Sequence, residues 1–305
     1  MRIRGGLLIA CLALAGCGGN SLTEPTSQPR ATEPPTPIAN PPVPTPPGAP
    51  QVFVGAGDIA TCDGNAEKTA RLLDGIGGTV FTLGDNAYFN GAPREFQECY
   101  EPTWGRHRSR TRPVPGNHEY GTPGATGYFD YFGAAAGPAG LGYYSFEIGG
   151  WHAVALNSNI PASAGSSQAA WLANDLATHA TACTIAYWHH PLFTSGPDGP
   201  SPFMRDVWRQ LHAAGVDVVM NGHEHYYERF APQNPDGGAD PARGIRQFIA
   251  GTGGAPPYMP VSIQPNSEVR ITGFGVLKMT LAASGYEWEF IPVSGSRDFG
   301  TGSCH

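Results

Sequence analysis

The chain has 305 residues, of which 40% are hydrophobic and 14% are charged, and its net charge at pH 7 is -7. It is long and apolar enough for one sizeable domain with a full core. Lys68 and Lys278 are the only lysines, so the chain lacks the continuous positive surface that a polymeric nucleic acid requires, and we expect no such partner.

The first 16 residues have the pattern of an export signal. Arg2 and Arg4 supply a positive start, and the apolar run Leu7–Ala15 is too short to span a bilayer as a helix. Leu14-Ala15-Gly16-Cys17 resembles a bacterial lipobox, which predicts cleavage before Cys17 and a lipid on its sulfur. We therefore expect an exported bacterial lipoprotein, anchored in a membrane and located in the periplasm or at the cell surface. The alternative is an ordinary secretory leader with an incidental cysteine.

Residues 17–50 are predicted to form a disordered tether. From Asn20 to Pro50 the chain is rich in proline, threonine and alanine, and it has too few large apolar residues to bury a core. A semi-extended polyproline II chain, at about 3.1 Å per residue, would hold the next domain on the order of 90 Å from the membrane. A proline-rich ligand for a partner domain is the alternative. The remainder, residues 51–305, is predicted to be one folded domain.

Five short apolar runs in this domain each lead into residues of metal-binding type. Short β-branched and aromatic runs closed by glycine indicate buried strands. The residues that follow the five runs are Asp58; Asp85 with Tyr88; Asn117 with His118 and Glu119; His189 with His190; and His223 with His225. Residues at the carboxyl ends of strands face one crevice of an open α/β sheet, so we expect these side chains to converge.

The remaining pattern predicts an α/β fold with two sheets. Helices are expected at Ala66–Leu73, Ser167–Ala180 and Pro202–Ala214, and further strands at Trp151–Asn157, Arg246–Ala250, Phe274–Leu281 and Tyr286–Pro292. The last two strands flank a short turn at Ser284-Gly285 and should form a hairpin. Strand–helix alternation favours βαβ units, and two sheets packed face to face with helices outside would satisfy the order of elements.

The chemistry of the converging side chains suits two neighbouring cations. Two cations close together repel each other, so an anionic oxygen should bridge them, and Asp85 is central in the set. Asp58 adds a second carboxylate, and Asn117 adds a neutral carbonyl oxygen. The imidazoles after the fourth and fifth runs suit zinc, iron or manganese. His-x-His at 223–225 places both rings on one side of an extended segment, so each ring can serve one cation.

These motifs resemble those of the calcineurin-like metallophosphoesterases, in the same order along the chain. The matching segments are Gly57-Asp58, Gly84-Asp85-Asn86-Ala87-Tyr88, Gly116-Asn117-His118-Glu119, His189-His190-Pro191 and Gly222-His223-Glu224-His225. Two further details resemble the purple acid phosphatase branch. Ala60 stands where most of the superfamily has the histidine of Asp-x-His, and Tyr88 stands where that branch has a tyrosinate ligand to iron. The sequence from His225 to Arg229 is also similar to that branch.

The resemblance implies the fold, the ligand sets and the roles of single residues. The fold would be an α-β-β-α sandwich, with residues 51–305 as the catalytic domain. A ferric ion would be held by Asp58, Asp85, Tyr88 and His225, and a second ion (Zn²⁺, Mn²⁺ or Fe²⁺) by Asp85, Asn117, His189 and His223. His189 is preferred to His190 because it fits the family's His-x-Pro spacing. The catalytic His118 would act on the substrate, and the alternative for Tyr88 is a packing role.

The function implied by the resemblance is hydrolysis of small phosphate monoesters, with metal-bound hydroxide as the nucleophile and His118 as the proton donor. A phosphodiesterase or nucleotidase using the same site is one alternative, and a catalytically silent surface binding module is another. No protein partner is implied. Plant-type relatives have an extra N-terminal β-domain, with no counterpart between Pro50 and Asp58, and further histidines after the fourth motif, where residues 194–200 have none.

Two supporting roles stay open at this point. Glu119 either orients His118 or is a surface residue. His190 either takes part in the chemistry or supports the site from outside it. The basic run at residues 106–112 is expected to be a solvated helix end, with attraction of anionic substrate as the alternative.

Four cysteines lie beyond the leader: Cys62, Cys99, Cys183 and Cys304. An even number in an exported chain favours disulfides, and zinc ligation is the weaker interpretation because no CxxC pair is present. Three pairings are possible. We favour Cys62–Cys99, since each lies in a loop region after one of two neighbouring predicted strands, and Cys183–Cys304, which would fix the C-terminal tail.

Overall fold

The computed structural model describes residues 49–179 and 181–305. The predicted signal peptide, the lipid attachment at Cys17 and the tether as far as residue 48 lie outside the described residues. Across these two ranges, the structure contains no helix that is both long and apolar enough to cross a membrane.

The described residues form thirteen strands in two sheets. In chain order they are β1 (Gln51–Ala56), β2 (Thr79–Thr82), β3 (Thr111–Arg112), β4 (Tyr144–Ile148), β5 (Trp151–Ala155), β6 (Thr184–Trp188), β7 (Val218–Asn221), β8 (Tyr227–Phe230), β9 (Arg246–Ala250), β10 (Ser267–Ile271), β11 (Gly275–Ala282), β12 (Gly285–Pro292) and β13 (Asp298–Ser303). The first sheet has the order β13-β12-β11-β1-β2-β3, and the second has the order β10-β8-β9-β7-β6-β5-β4. Strands β1 to β3 are parallel in the first sheet, as are β5, β6, β7 and β9 in the second.

Five α-helices and several shorter turns connect the strands. The helices are α1 (Asn65–Asp74), α2 (Pro93–Glu95), α3 (Thr126–Phe132), α4 (Ser167–Thr178) and α5 (Arg205–Ala213). The shorter segments are a π-helical turn at Phe96–Tyr100 and 3₁₀ turns at Trp104–Arg110, Glu119–Gly121, Pro123–Ala125, Gly133–Ala136 and Pro202–Met204.

The two sheets pack face to face around one buried apolar cluster. Phe53 and Leu277 of the first sheet meet Tyr187 and Met220 of the second in this cluster. The rings of Phe53 and Tyr187 lie 5.6 Å apart in an edge-to-face arrangement. Such pairs add to the free energy of burying apolar area, so the contact helps fix how the two sheets face each other.

Helices cover both outer faces. On the first sheet, Leu73 of α1 packs against Val54 and Val80. On the second, Trp208 of α5 packs against Val219 of β7. The layers are therefore helix, sheet, sheet and helix, which confirms the predicted fold class.

The predicted elements differ from the observed ones mainly at their ends. The predicted helix at Pro202–Ala214 is a 3₁₀ turn followed by α5, because Pro202 opens a tighter turn than an α-helix. The predicted helix at Ser167–Ala180 ends at Thr178. The C-terminal hairpin is confirmed, with Ala282 paired to Gly285 across its turn.

The structure confirms both favoured disulfides. The Cα atoms of Cys62 and Cys99 lie 4.7 Å apart, and those of Cys183 and Cys304 lie 5.3 Å apart. Both distances are in the range that a disulfide bond spans. The first bond ties the loop after β1 to the π-helical turn, and the second ties the residue before β6 to the tail after β13.

Candidate metal centre

The side chains predicted to converge do meet at one edge of the two sheets. They follow the carboxyl ends of five strands, all of which belong to the parallel parts of their sheets: Asp58 after β1, Asp85 and Tyr88 after β2, Asn117 after β3, His189 after β6, and His223 and His225 after β7. Parallel strands present the same end at the same edge, so the topology itself assembles the group.

The backbone is strained where three of the predicted ligands follow their strands. Asp58, Asp85 and His223 have φ angles of 59°, 49° and 73°, which lie in the left-handed region. A non-glycine residue in that region costs on the order of 1–3 kcal/mol, and such residues concentrate at functional sites. Three of the seven predicted ligands thus have an unfavourable backbone conformation. This conformation turns their side chains toward the common edge.

Glycine next to these ligands allows close approach. A Cβ atom on Gly222 would lie 2.7 Å from Oδ2 of Asp58, and one on Gly116 would collide with Oδ1 of Asp85. Any larger residue at either position would push a carboxylate out of the group. This explains why a glycine precedes Asn117 and His223 in the sequence.

The first of two contact groups surrounds the hydroxyl of Tyr88. That oxygen lies 3.0 Å from Oδ1 of Asp58, 3.3 Å from Oδ2 of Asp85 and 3.2 Å from Nε2 of His225. Burial raises the pKa of the Tyr88 phenol, and the charges of Asp58 and Asp85 raise it further. A highly charged cation touching this oxygen would oppose both effects.

The second contact group surrounds Nε2 of His189. That nitrogen lies 3.2 Å from Oδ2 of Asp85, 2.9 Å from Oδ1 of Asn117 and 3.2 Å from Nδ1 of His223. Asp85 therefore takes part in both contact groups, through the same oxygen. Ligand atoms of Asp58, Asp85 and His189 all lie within 4.8 Å of one another.

Backbone carbonyls fix the direction of two imidazoles. Nδ1 of His189 lies 2.7 Å from the carbonyl oxygen of Leu83, and Nδ1 of His225 lies 3.0 Å from that of Pro256. A histidine that binds a metal through one nitrogen commonly donates its other N–H to such a carbonyl. Both rings are therefore held with Nε2 facing the carboxylates.

Asp85 and His189 stabilise each other's charged forms. Burial lowers the pKa of His189, but the nearby Asp85 carboxylate more than offsets this and raises the pKa to about 9. Burial raises the pKa of Asp85, but the charge and hydrogen bond of His189 outweigh it and hold that pKa below its ordinary value. The Asp85 carboxylate and the His189 imidazole therefore carry opposite charges in direct contact. Each charge stabilises the other.

The site opens toward solvent on one side. Asp58, Asp85 and His189 are fully buried, whereas Asn117 is exposed and His118 is half-buried. The Nδ1 atom of His118 lies 2.6 Å from the carbonyl oxygen of Phe89, and its Nε2 lies 3.7 Å from Oδ2 of Asp85. His118 thus stands at the mouth with Nε2 directed at Asp85, and its backbone N–H donates to Oδ1 of that carboxylate at 2.9 Å.

Glu119 is neither a surface residue nor a partner of the His118 ring. Its carboxylate is fully buried and accepts hydrogen bonds from the backbone N–H groups of Asn86 at 2.8 Å, Ala87 at 3.2 Å and Gly116 at 2.7 Å. It therefore joins the loop that carries Asp85 to the loop that carries Asn117. Burial raises the pKa of Glu119, and the charge of Asp85 adds to the effect, bringing it to about 7.

His190 lies beside the group but is held by Ser158. The Ser158 hydroxyl lies 2.8 Å from Nδ1 of His190 and also accepts the backbone N–H of that residue at 3.1 Å. The rings of His190 and His223 are 4.5 Å apart, and ligand atoms of these two residues and His189 all lie within 4.8 Å of one another. The preference for His189 agrees with its direct contact to Asp85, which His190 does not make.

Two arginines of the basic run at residues 106–112 bind to α1 and the residues that follow it. Arg106 forms ion pairs with Glu67 at 2.7 Å and Asp74 at 2.8 Å. Arg110 donates to the backbone carbonyls of Gly78 and Leu73. These guanidinium groups hold α1 against the 3₁₀ turn, and attraction of anionic substrate by the run stays a prediction.

One contributor was missed in the sequence, Tyr258. Its ring stacks on His225 at 4.9 Å between centroids, and its hydroxyl lies 2.7 Å from Oδ2 of Asp198 and 3.0 Å from the carbonyl oxygen of His223. A signal was present, because β9 is a sixth buried strand that ends in glycine, at Gly251, and Tyr258 follows it. The segment from Gly251 to Tyr258 contains no aspartate, asparagine or histidine, so the sequence pattern gave it no role.

Comparison with known proteins agrees with this geometry. The family model of the calcineurin-like phosphoesterases matches residues 52–227. Purple acid phosphatase 15 of Arabidopsis thaliana is 27% identical over 225 residues, which cover 62% of this chain and 42% of that protein. Purple acid phosphatase 21 of the same plant is 30% identical over 261 residues, which cover 76% of this chain and 57% of that protein. The chain spans about half the length of the curated relatives it matches.

Solved structures show the same fold. A purple acid phosphatase from yellow lupin (Lupinus luteus) seeds superposes with a TM-score of 0.71 at 19% identity, covering 84% of this chain and 54% of that one. The anchor in the inner membrane complex of Plasmodium superposes with a TM-score of 0.63 at 14% identity, covering 84% of this chain and 89% of that one. With the family match over residues 52–227 and the motif order along the strand ends, the chain belongs to the calcineurin-like phosphoesterase family, in its purple acid phosphatase-like branch.

Proposed function

We propose that this protein hydrolyses small phosphate monoesters at a centre of two metal ions. The observation that carries the proposal is the pair of contact groups around the Tyr88 hydroxyl and the His189 Nε2, which share Asp85. Two groups of donors with one carboxylate in common are what a pair of adjacent cations needs. A carboxylate between them offsets their mutual repulsion.

The donor chemistry of each group fits a different ion. The first group offers carboxylate and phenol oxygens with one imidazole, from Asp58, Asp85, Tyr88 and His225, and this oxygen-rich anionic set suits ferric iron. The second group offers Asp85, Asn117, His189 and His223, whose two imidazoles suit Zn²⁺, Mn²⁺ or Fe²⁺. The contacts around each central atom match these two sets residue by residue.

Metal ions bound here would neutralise charge on the phosphoryl oxygens and lower the pKa of the water that attacks phosphorus. The chain's own residues supply orientation and a proton. Asn117 and His118 lie at the open side of the site, so an ester enters past them. His118 donates the proton on Nε2 to the leaving alcohol oxygen as the P–O bond breaks, and it keeps its other proton on Nδ1, toward the Phe89 carbonyl.

The location is part of the same proposal. The export signal and the lipobox-like Cys17 support a lipid-anchored protein in the periplasm or at the cell surface. Membrane fractionation of the parent chain and of Cys17→Ser tests this. We expect the parent in the membrane fraction and the variant released; a parent chain that is not membrane-bound would remove the anchor from the proposal.

A second candidate function is a silent surface anchor. One solved neighbour of this fold is described as the anchor in a membrane complex, and a long tether would suit such a role. The seven donors and their supporting contacts favour hydrolysis instead, since an anchor has no use for strained, converging ligands.

The test is release of phenol from phenyl phosphate by the metal-loaded full-length protein at acid and neutral pH. Asp85→Asn serves as the control, and a bis-aryl phosphate diester is assayed in parallel. The proposal is supported if the parent protein hydrolyses the monoester and Asp85→Asn does not. Turnover of the diester alone would replace it with a phosphodiesterase, and no turnover with two ions bound would favour the silent anchor.

A further inference from the structure

A groove adjoins the metal centre on the side of His190. It has a volume of about 480 Å³ and runs between two segments, residues 158–163 after β5 and residues 202–206 at the start of α5. None of the seven proposed metal ligands lines it. Because it lies beside the proposed metal centre, it is a candidate for binding part of a substrate.

The groove is connected to the site through His190. Ser158 lines the groove and holds Nδ1 of His190 at 2.8 Å. The His190 ring lies 4.5 Å from the ring of His223, a proposed metal ligand. Asn159, also in the groove, donates to the carbonyl oxygen of Pro115 at 3.1 Å, two residues before Asn117. A group leaving phosphorus on this side would therefore pass directly into the groove.

The walls of the groove are largely apolar. Ile160, Pro161 and Ala162 form one side, and Pro202 and Phe203 form the other. Ile160 and Ala162 belong to the apolar core beneath α4 and α5, so this side is rigidly supported.

Phe203 is the main apolar surface that the groove offers. Its ring is 49% exposed and lies 5.6 Å from the His190 ring in an edge-to-face arrangement. Nearly half of a phenylalanine side chain is thus available to a ligand next to the reaction site. A concave and mostly apolar surface next to a reaction site is the usual form of a small-molecule pocket.

The charged residues of the groove are already paired within the protein. The Arg205 guanidinium donates to the carbonyl oxygen of Pro235 at 2.7 Å and lies 3.4 Å from Oδ1 of Asp236. The Asp206 carboxylate accepts from the backbone N–H of Ala164 at 2.9 Å and lies 3.3 Å from Arg209. The one positive side chain that lines the groove, Arg205, is therefore already engaged, which leaves little to attract a second phosphate.

We infer that this groove binds the alcohol portion of the substrate, and that it selects phosphate monoesters whose alcohol is uncharged and apolar or aromatic. Phe203 is the specificity-determining residue, through contact with the leaving group. The inference rests on the proposed function for the reaction, and it adds the chemical class of the ester.

The experiment compares 2-phenylethyl phosphate with glycerol phosphate. Both leaving oxygens are aliphatic alcohols, so the two esters differ mainly in the polarity of the group that would enter the groove. Full-length parent protein, Phe203→Ala and the control Phe299→Ala are assayed for kcat/KM by phosphate release. Phe299 is 75% exposed and lies on β13 of the other sheet, so it matches Phe203 in type and exposure but not in place.

We expect Phe203→Ala to lower kcat/KM for 2-phenylethyl phosphate about tenfold, the size of effect that loss of one aromatic contact gives. Glycerol phosphate turnover should stay within about twofold of the parent value, since its alcohol gains little from an apolar wall. Phe299→Ala should change neither. An equal loss on both esters would overturn the inference, because Phe203 would then act on the metal centre through His190. An unchanged ratio of the two would overturn it as well.

A binding measurement separates failure of the inference from failure of the proposed function. The non-hydrolysable 3-phenylpropylphosphonate is titrated into the parent and the two variants. If the parent hydrolyses neither ester, the proposed function fails. The inference that the groove is a binding site is still supported if Phe203→Ala alone weakens phosphonate binding. It is contradicted if the parent does not bind the phosphonate, or if all three proteins bind it equally.

Discussion

The hydroxyl of Tyr88 donates a hydrogen bond to Oδ1 of Asp58 over 3.0 Å. This contact places a phenol beside the buried carboxylates of Asp58 and Asp85. A packing role would need only the ring, whereas the hydroxyl here points at the oxygens that would bind a cation. Metal binding needs the hydroxyl of this tyrosine and packing does not. Removing the hydroxyl therefore tests which interpretation is correct.

We expect the iron-loaded protein to show a visible charge-transfer absorption that Tyr88→Phe removes while iron content is retained. The phenylalanine keeps the ring and deletes only the donor oxygen. Tyr258→Phe is the matched control, because the Tyr258 hydroxyl contacts Asp198 and the His223 carbonyl rather than the carboxylates. Absorption that survives Tyr88→Phe at full iron occupancy would leave Tyr88 with a packing role.

Asp85 and Asn117 should differ in how many ions their loss releases. Asp85 takes part in both contact groups, and Asn117 in one. We expect Asp85→Asn to weaken binding of both ions and Asn117→Ala to weaken one. Elemental analysis after dialysis measures this, and the activity loss in Asp85→Asn should exceed the roughly 10–100-fold that loss of a supporting contact costs. Two ions retained by Asp85→Asn would contradict the shared role of that carboxylate.

His118→Asn should lower kcat by about 10²–10⁴-fold for an alkyl phosphate, since an alkoxide leaves poorly without a proton. The loss should be much smaller for a nitrophenyl phosphate, whose leaving oxygen is stable without one. Metal content should stay at the parent value, because His118 is not one of the seven proposed ligands and its Nε2 lies 3.7 Å from Asp85. His212→Asn, on α5, is the control. An equal loss on both esters would argue against proton donation.

The role of Glu119 could be predicted only in part from the sequence. Its position in the Gly-Asn-His-Glu motif drew attention to it, but the motif gave no partner for the carboxylate. Its partners are backbone N–H groups, including those of Asn86 and Ala87, 33 and 32 residues away along the chain. Backbone groups have no sequence signature, so only the folded chain shows that this glutamate joins two ligand loops.

The convergence of the proposed ligands could be predicted from the sequence because each follows an apolar strand, a local pattern. Other elements lack such a pattern. Strand β13 contains two glycines and a single large apolar residue, Phe299, and it exists because β12 offers it an edge to pair with. Tyr258 reaches His225 across 33 residues of chain through a proline-rich segment. Pairing and stacking over such distances depend on tertiary structure, which local periodicity does not record.

Glu119→Gln should destabilise the fold although it removes no proposed metal ligand. The amide presents an N–H₂ group where buried N–H donors need an acceptor, and each unsatisfied donor costs about 1–3 kcal/mol. We expect the free energy of unfolding to fall by about 2–3 kcal/mol and the melting temperature to drop by several degrees. Glu98→Gln is the control, since the side chain of Glu98 is 55% exposed. An unchanged melting temperature in Glu119→Gln would mean that the loops do not depend on this carboxylate.

His152 and Asp175 should make stability depend on pH far from the metal centre. Nε2 of His152 lies 2.7 Å from Oδ2 of Asp175, and Nδ1 lies 2.9 Å from Glu147. Burial lowers the pKa of His152, but the hydrogen bonds to these carboxylates outweigh it and raise the pKa above 6.5. Burial raises the pKa of Asp175, but the hydrogen bonds of His152 and Ser145 outweigh it and hold that pKa below 3.8.

The signs of these two shifts define a pH window. The stability from His152 is fully present below its unfolded pKa, near 6.5, and is lost as the pH rises through the higher folded value. The stability from Asp175 is present above its unfolded pKa, near 3.8, and is lost as the pH falls through the lower folded value. Both contributions are therefore present together between about pH 4 and 6.5.

Asp175→Asn should lower the free energy of unfolding by about 2 kcal/mol at pH 5, the worth of a hydrogen bond to a charged group. The difference from the parent should be smaller at pH 9, because raising the pH favours loss of the His152 proton that the Asp175 carboxylate stabilises. Urea unfolding at both pH values measures this, with Asp236→Asn, whose side chain is 77% exposed, as the control. A difference that stays constant between pH 5 and pH 9 would show that Asp175 stabilises the fold through its hydrogen bonds to neutral partners, not through the charge of His152.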